Sequence, residues 1–152
     1  MAVYMKVDGR RQGELKGDVA VPAFAHQILL KSVNFGMGYP IEAASLVSTG
    51  RTIVRPLTIT KNMDKSSPLF MTAVSTREVA TVTITYANDG AARLANKKIA
   101  TVKLTNALAT DLQHVAGHDG NAIESITFSY TQIEYTWLEG GIVSVVDVTS
   151  AT

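Results

Sequence analysis

The sequence contains no cysteine among its 152 residues, so it can form neither a disulfide framework nor a thiol-based catalytic or metal site. Charge is also scarce: charged residues make up 18% of the chain and the formal net charge is +1. Such a balance gives no electrostatic reason to expect nucleic acid as a partner. No apolar run approaches the roughly 20 residues that span a bilayer, so we expect no membrane insertion.

The first residues, 1–8, lack the charged segment followed by an apolar segment that is typical of a secretory signal. We therefore expect the protein to fold in the cytoplasm and, if it leaves the cell, to do so by another route. No internal repeat and no linker-like stretch interrupts the sequence. The hydrophobic content of 46% is enough for a sizeable core, so we expect a single domain over residues 1–152.

One short helix is predicted in a sequence that otherwise has the pattern of strands. Ser67 and Pro68 suit the N-cap and the first helical position. The apolar residues that follow are spaced i, i+1, i+4 and i+5 and share one helix face. These residues are Leu69, Phe70, Ala73 and Val74. Because so short a helix is marginal alone, we expect this face to pack on a sheet.

The other segments alternate between apolar and polar residues, as strands do. Strands are predicted at residues 2–7, 24–36, 51–61, 78–87, 98–112, 126–137 and 142–148. Glycine, asparagine and aspartate supply the chemistry of tight turns between several of them. Such turns are predicted at 88–90, 117–121 and 139–141.

The parity of apolar residues predicts which side chains face inward and where the strands bend. Ile53 and Leu108 fall on the inward parity of their strands, and Tyr135 and Trp137 are expected in the core. A change of parity near Thr131 predicts a bulge there. Long strands that bend through bulges suit a closed or nearly closed barrel, so the predicted fold is mainly β, with one helix against it.

No catalytic, cofactor-binding or metal-binding set can be recognised. His114 and His118 have a spacing that would chelate zinc on a helix, but they follow a strand pattern and flank Gly117, which favours an exposed turn. Ser66 and Ser67 have no base placed beside them by a motif, and helix capping explains both. We therefore expect no enzyme, no cofactor and no metal.

The segment Met37–Gly50 is predicted to be a loop with no clear period, and Glu42 is its single charged residue. Its large apolar residues are Met37, Tyr39, Ile41, Leu46 and Val47. A loop of this length and apolar content is usually functional or packed against something.

The stretch Leu57–Leu69 resembles the signature of the Hcp proteins, the tube subunits of bacterial type VI secretion systems. In that pattern an alternating strand ends in Thr-Lys, and Asp-Lys-Ser-(Ser/Thr)-Pro and a short apolar helix follow. The pair Gly13-Glu14, ahead of a long strand ending in an aromatic residue and Gly36-Met37, also fits. One departure is Val33-Asn34-Phe35-Gly36, where the family commonly has aromatic-Ser-aromatic-Gly.

The resemblance implies a two-sheet β-barrel with one short α-helix that assembles as a homo-hexameric ring. Such rings stack into a hollow tube that a contractile sheath drives out of the cell, and they carry small effector proteins in the lumen. The implied partners are copies of the chain itself, sheath, spike-tip and baseplate proteins, and effectors, and the protein itself would be secreted. The resemblance also places Asn34 in the lumen and directs the Met37–Gly50 loop to the neighbouring ring.

Two other interpretations stay open on the sequence. A tail-tube protein of a phage or a related contractile particle would share the fold, and nothing within the chain separates it from a secretion-system subunit. A monomeric ligand-binding barrel or small hydrolase would instead require a closed monomer and a pocket with convergent polar groups.

Overall fold

The structure, a computed structural model, describes residues 1–88 and 96–148. Its described part contains one α-helix and is otherwise built mainly from strands, so the predicted mainly β fold with one helix is confirmed. The tight turn predicted at 88–90 lies outside the described residues apart from its first one. The elements are β1 Ala2–Gly9, β2 Gly13–Glu14, β3 Ile28–Gly38, β4 Ile41–Glu42, β5 Val47–Ser48, β6 Ile53–Asn62, α1 Ser67–Thr76, β7 Val79–Ala87, β8 Lys98–Ala116, β9 Ala122–Ser129, β10 Gln132–Trp137 and β11 Ile142–Asp147.

Six of the strands close on themselves in the order β8-β7-β1-β3-β6-β9, with β9 returning to β8. All of these neighbours are antiparallel. Strand β8 is 19 residues long, and it pairs with β10 through its first half and with β9 through its second half. Strands β10 and β11 extend the sheet from β8, whereas β4 and β5 form a separate hairpin.

Strand β3 shows why its sequence carries apolar residues on both parities. Ile28 and Leu30 are buried, the pairing with β6 then slips by one residue, and Val33 and Phe35 pack on the same core. The strand was predicted to begin at Phe24, which is wrong. Pro22 instead opens a 3-10 turn that ends at Phe24, because its fixed φ suits a helical start.

Two further irregularities overturn predicted inward positions. Pro56 lies where the pairing of β6 with β3 slips, and it cannot donate to the ladder, so Ile53 beyond it is exposed. In β8 the backbone of Asn106 adopts a left-handed conformation with φ 51, which asparagine tolerates better than most residues. The parity changes there, so that Ala107 is fully buried and Leu108 is half-buried.

The chain between β9 and β10 breaks rather than bulges. Strand β9 ends at Ser129, and after Thr131 the chain pairs with the first half of β8 instead of the second. Tyr135 and Trp137 are each 46% exposed, so their predicted place in the core is wrong. Tyr135 meets Phe35 edge-on at a ring separation of 5.9 Å, which lays β10 over β3.

The core fills the closed sheet and continues under the helix. Phe70 of α1 is fully buried and meets the ring of Phe128 edge-on, with centroids 6.3 Å apart. This geometry is favourable between aromatic rings. Among residues 1–88 and 96–148, no helix has both the length and the apolar character needed to cross a membrane.

Candidate assembly surfaces

Helix α1 turns its apolar face onto the sheet. Phe70 and Ala73 are buried, and Leu69 and Val74 are half-buried against the same core. Arg77 ends the helix in a left-handed conformation, and its N–H group faces the carbonyl oxygens of Ala73 and Val74. All four apolar residues that the helical spacing puts on one face therefore pack on the core.

A buried polar network fixes the other end of the helix. The Lys61 ammonium group is fully buried and lies 2.8 Å from Glu124 Oε1 and 3.0 Å from Asp64 Oδ1. Ser67 Oγ donates to Glu124 Oε1 at 2.6 Å and accepts from the backbone N–H of Asp64 at 3.0 Å. A buried charge is costly unless it is paired and hydrogen-bonded, and this network supplies both conditions for Lys61.

The start of the helix differs from the prediction. The N-cap is Ser66 and the helix begins at Ser67, so the prediction of Ser67 as the N-cap is wrong. The Ser66 hydroxyl and backbone N–H both donate to Asp64 Oδ1, so the aspartate closes the turn instead of a serine capping it. Both serine hydroxyls thus donate to carboxylates, and Lys61 donates to Asp64 and to the Ser67 hydroxyl. No free base therefore lies beside either serine in this network.

Glu124 is the centre of the network, and His114 is its cross-strand partner. His114 Nδ1 lies 3.0 Å from Glu124 Oε2. Burial alone would raise the pKa of Glu124, but hydrogen bonds from Lys61, Ser67 and His114, together with the charge of Lys61, lower this pKa below its ordinary value. The carboxylate is therefore held ionised at the base of the helix.

A second buried carboxylate, that of Glu78, ties the opposite end of the helix to the turn after β1. Its Oε2 accepts from the backbone N–H groups of Arg11 at 2.9 Å and Gln12 at 2.8 Å, and Gln12 Nε2 also donates to the carbonyl oxygen of Leu69. Burial raises the pKa of Glu78, but these hydrogen bonds lower it overall. The two ends of α1 are thus held by separate buried carboxylates, Glu124 and Glu78.

The Met37–Gly50 segment is a short hairpin rather than the irregular loop that was predicted. Strand β3 continues to Gly38, and β4 pairs with β5 through Ile41 opposite Ser48 and Glu42 opposite Val47. Glu42 closes the tip by accepting from the N–H groups of Ala44 and Ser45. These bonds account for a low-charge segment that still has a defined shape.

The apolar residues of this hairpin are exposed. Leu46 is 74% exposed and Tyr39 and Val47 are each 59% exposed, whereas Ile41 and Met37 are about half covered. The hairpin is therefore not folded into the core of its own chain. Apolar surface concentrated on a projecting element is typical of a contact site.

Asn34 lies on the polar face of the closed sheet, opposite Val33 and Phe35, which pack on the core. It pairs with Thr58 of β6, and Thr58 Oγ1 lies 3.1 Å from Thr127 Oγ1 of β9. Hydroxyl and amide groups thus line this wall, together with the charged side chains of Asp111, opposite Thr127, and Arg55, opposite Gly36. A wall of this kind suits contact with water.

Strand β11 is an edge strand, because among the described strands it pairs with β10 alone. Its Ile142, Val143 and Val145 are about half exposed or more. Exposed edges with apolar side chains are surfaces on which further chains pair.

The described residues contain no metal centre, and the space under the helix is too small for a ligand. No group of three or more His, Cys, Asp or Glu side chains within 1–88 and 96–148 is arranged to hold a metal, and His114 contacts Glu124 rather than His118. The space enclosed between helix and sheet, beside Phe70 and Phe128, is about 10 Å³. Small-molecule pockets measure roughly 300–1,000 Å³, so the interior offers no ligand site of that kind.

Sequence reasoning missed the contact of Lys61 with Glu124, the contact of Glu124 with His114, and the anchor at Glu78. One signal was available, since Lys61 continues the inward parity of Leu57 and Ile59 and a charge at such a position needs a buried partner. Which carboxylate supplies it depends on the register between β6 and β9, where Lys61 lies opposite Glu124.

Comparison with known proteins gives a consistent result. The family described as "Type VI secretion system effector, Hcp" matches residues 4–137. The major exported protein of Pseudomonas aeruginosa is 28% identical over 150 residues, covering 88% of this chain and 87% of that protein.

Solved structures share the fold. A mutant of Hcp1 from the E. coli pathovar EAEC 042 aligns with a TM-score of 0.86 at 23% identity, covering 97% of this chain and 99% of that one. The secreted protein Hcp3 of Pseudomonas aeruginosa aligns with a TM-score of 0.76 at 21% identity over 95% and 98% of the two chains. Because the matching family covers nearly the whole chain, the protein belongs to the Hcp family of the type VI secretion system.

Proposed function

We propose that this chain is the structural subunit of a type VI secretion inner tube, which forms hexameric rings that stack, hold small effectors in the lumen and leave the cell. The observation that carries the proposal is the Met37–Gly50 hairpin. Its Tyr39, Leu46 and Val47 expose apolar surface to water, and removing that surface from water would be favourable. A neighbouring ring would cover these side chains.

Two features support closure into a ring. Beyond Leu30, β3 pairs with β6 alone among the described strands, and β11 likewise has one free edge. These edges belong to different parts of the chain, so a contact between them is head-to-tail. A head-to-tail contact whose rotation closes gives a ring.

The polar wall that contains Asn34 supports the lumen. Ser32 Oγ lies 2.6 Å from Thr60 Oγ1, and both share a face with Asn34 and Thr58. Hydroxyl and amide groups on this wall can hold water and contact a protein cargo through hydrogen bonds, and the charges on the wall are of both signs, at Arg55 and Asp111.

The remaining partners follow from the family. We propose that the tube contacts sheath, spike-tip and baseplate proteins, and that the chain assembles in the cytoplasm and is then exported, as the name of its Pseudomonas relative states for that protein. The family match favours this machine over a phage tail. We propose no catalytic activity, since both buried carboxylates, Glu78 and Glu124, are committed to anchoring contacts.

Electron microscopy of the purified protein tests the proposal. We expect rings with sixfold symmetry and a central hole, and end-to-end stacks at high protein concentration. Compact particles without a hole, at every concentration, would refute the ring and with it the tube.

A further inference from the structure

Arg55 brings a positive charge to the polar wall that contains Asn34. In the β3–β6 ladder it lies opposite Gly36, and strand alternation places Gly36 and Gly38 on the same face of β3 as Asn34. The side chain of Arg55 is exposed. A guanidinium group therefore lies on a surface made mainly of hydroxyl and amide groups.

Strand β3 leaves room for this guanidinium group. A Cβ atom on Gly36 would lie 3.0 Å from Arg55 Nη1, and a Cβ atom on Gly38 would lie 3.4 Å from Arg55 Nη2. The guanidinium group thus extends along two residues that have no side chain. The backbone of Arg55 is fixed as well, because its carbonyl oxygen accepts a hydrogen bond from the Tyr130 hydroxyl at 2.9 Å. A side chain held in this way loses less freedom when it binds a ligand.

In the part of the chain that the structure describes, Arg55 has no ion-pair partner. The ion pairs found there centre on Lys61 and Glu124. Asp111 carries a negative charge on the same wall, but β9 separates its part of β8 from β6. Two strand spacings are roughly 10 Å, whereas an ion pair requires about 4 Å. The N–H donors of Arg55 are therefore left for a ligand.

In the proposed ring this wall lines the lumen, so each subunit adds one copy of Arg55 and one copy of Asp111. The copies of Arg55 would form a positive collar near the end of β3 at Gly38, where the Met37–Gly50 hairpin begins. Asp111 lies level with Asn34, which is roughly 7 Å further along β3. The lumen would thus carry two separate collars of opposite charge. A cargo that touches several subunits at once would gain from repeated contacts with one collar.

We propose that Arg55 selects the carried effector by binding carboxylate groups on the effector's surface. This inference rests on the proposed tube function. A guanidinium group offers a planar pair of N–H donors that matches a carboxylate, so the contact has a defined geometry as well as a favourable charge. The lumen then favours effectors that present aspartate or glutamate side chains toward its hairpin end.

Binding of short labelled peptides to purified rings tests this assignment. Two peptides of equal length are compared by fluorescence anisotropy, one with glutamate at alternate positions and one with glutamine there. The parent should bind the glutamate peptide about tenfold more tightly, as expected for hydrogen bonds to a charged group. Higher salt should weaken this preference, because exposed charges are screened.

Substitutions assign the preference to one side chain. Arg55→Gln should remove it, and Arg55→Lys should keep only part of it, because lysine retains the charge but not the planar pair of donors. Lys103→Gln is the matched control, since Lys103 is exposed on the part of β8 that pairs with β7 and β10. It removes the same charge away from the polar wall and should leave the preference unchanged. Asp111→Asn should instead strengthen binding of the glutamate peptide, because it removes a like charge from the wall.

Disulfide capture locates the bound peptide, because the chain has no native cysteine. The glutamate peptide is given one cysteine and is mixed with rings that carry either Asn34→Cys on the polar wall or Lys103→Cys away from it. We expect capture by the Asn34 variant and loss of this capture when Arg55→Gln is added. Capture by the Lys103 variant alone would place the peptide outside the wall and overturn the inference.

Native mass spectrometry of every variant separates this inference from the proposed function. Hexamers that keep the glutamate preference after Arg55→Gln, or parent hexamers without that preference, would overturn the role of Arg55 and leave the tube intact. Arg55→Gln hexamers that bind both peptides as the parent does but fail to stack would assign Arg55 to the contact between rings instead. A parent that stays monomeric would refute both proposals.

Discussion

The signature stretch Leu57–Leu69 and the Met37–Gly50 hairpin are close in sequence and opposite in structure. In the first, Lys61 and Ser67 are committed to contacts inside the subunit, and Leu57 and Ile59 are fully buried. In the second, Tyr39 and Leu46 have no comparable cover from their own chain. The stretch that carries the family resemblance therefore builds the subunit, and the segment without a motif provides the candidate contact surface.

This contrast shows that a recognisable motif can indicate how a chain folds without indicating which surface contacts a partner. The Thr-Lys and Asp-Lys-Ser-Ser-Pro elements put the Lys61 ammonium group, the Asp64 carboxylate and two serine hydroxyls at the base of α1, where Glu124 of β9 adds a second carboxylate. None of those groups is presented to another molecule. We expect substitutions in the two regions to have separable effects, on stability in the first and on assembly in the second.

The largest effect on stability is expected from Phe70→Ala. Removing a fully buried ring that packs on Phe128 costs about 3–5 kcal/mol of unfolding free energy, which lowers the melting temperature by roughly 6–20 °C. Thermal unfolding measures it, and Met71→Ala, on the exposed face of the same helix, is the matched control. If Phe70→Ala melts within a degree of the parent, Phe70 is not a core residue.

A smaller loss is expected from Glu124→Gln. The amide keeps the shape of the side chain but loses the charge that Lys61 and Ser67 contact, and a hydrogen bond to a charged group contributes about 1.5–3 kcal/mol. Chemical denaturation measures the change, and Glu134→Gln, on β10 and outside the network, is the control. Equal stability of the Glu124 variant and the parent would mean that the network contributes nothing net.

The same carboxylate predicts a dependence of stability on pH. Because the folded pKa of Glu124 is lowered, the unfolded chain binds the proton more readily, so stability rises with pH in this range. The contribution is complete above the ordinary glutamate pKa of 4.5 and is lost as pH falls through the lower folded value. Stability measured from pH 6 downward should fall less steeply in Glu124→Gln. The lowered pKa of Glu78 leaves a residual slope in that variant.

Much of the fold could be predicted from the sequence, because helix spacing and strand alternation are local. Prediction failed where one residue changes which parity of the strand faces inward. Beyond Pro56, Ile53 is exposed, and after Asn106 the neighbouring alanines are buried in place of Leu108. The buried network was not predictable, since the contact of Lys61 with Glu124 spans 63 positions and requires the strand register. The assembly surfaces lack any such internal partner.

In the hairpin, Tyr39→Asp with Leu46→Asp should leave unfolding and hexamer formation unchanged. Both side chains are exposed, so the subunit loses little, whereas a ring–ring contact repeated around the ring would lose all of its copies at once. Electron microscopy and a secretion assay measure the result. Continued polymerisation and normal export by this double variant would remove the hairpin from the stacking contact.

The mildest effect on the subunit is expected from Asn34→Arg. Asn34 is exposed on the polar wall, so a long charged side chain can be accommodated without unfolding. We expect intact rings with reduced effector retention, measured by co-purification. Loss of the ring itself would place Asn34 in a contact between subunits.

The central claim, that this chain closes into a six-membered ring, is tested most directly by native mass spectrometry. The 16.3 kDa chain should give a species of about 98 kDa, six times its own mass, across the micromolar range. Closing the head-to-tail ring satisfies every contact surface, so open assemblies with unpaired ends are less stable than the closed hexamer. A spectrum with monomer alone over that range would contradict the account.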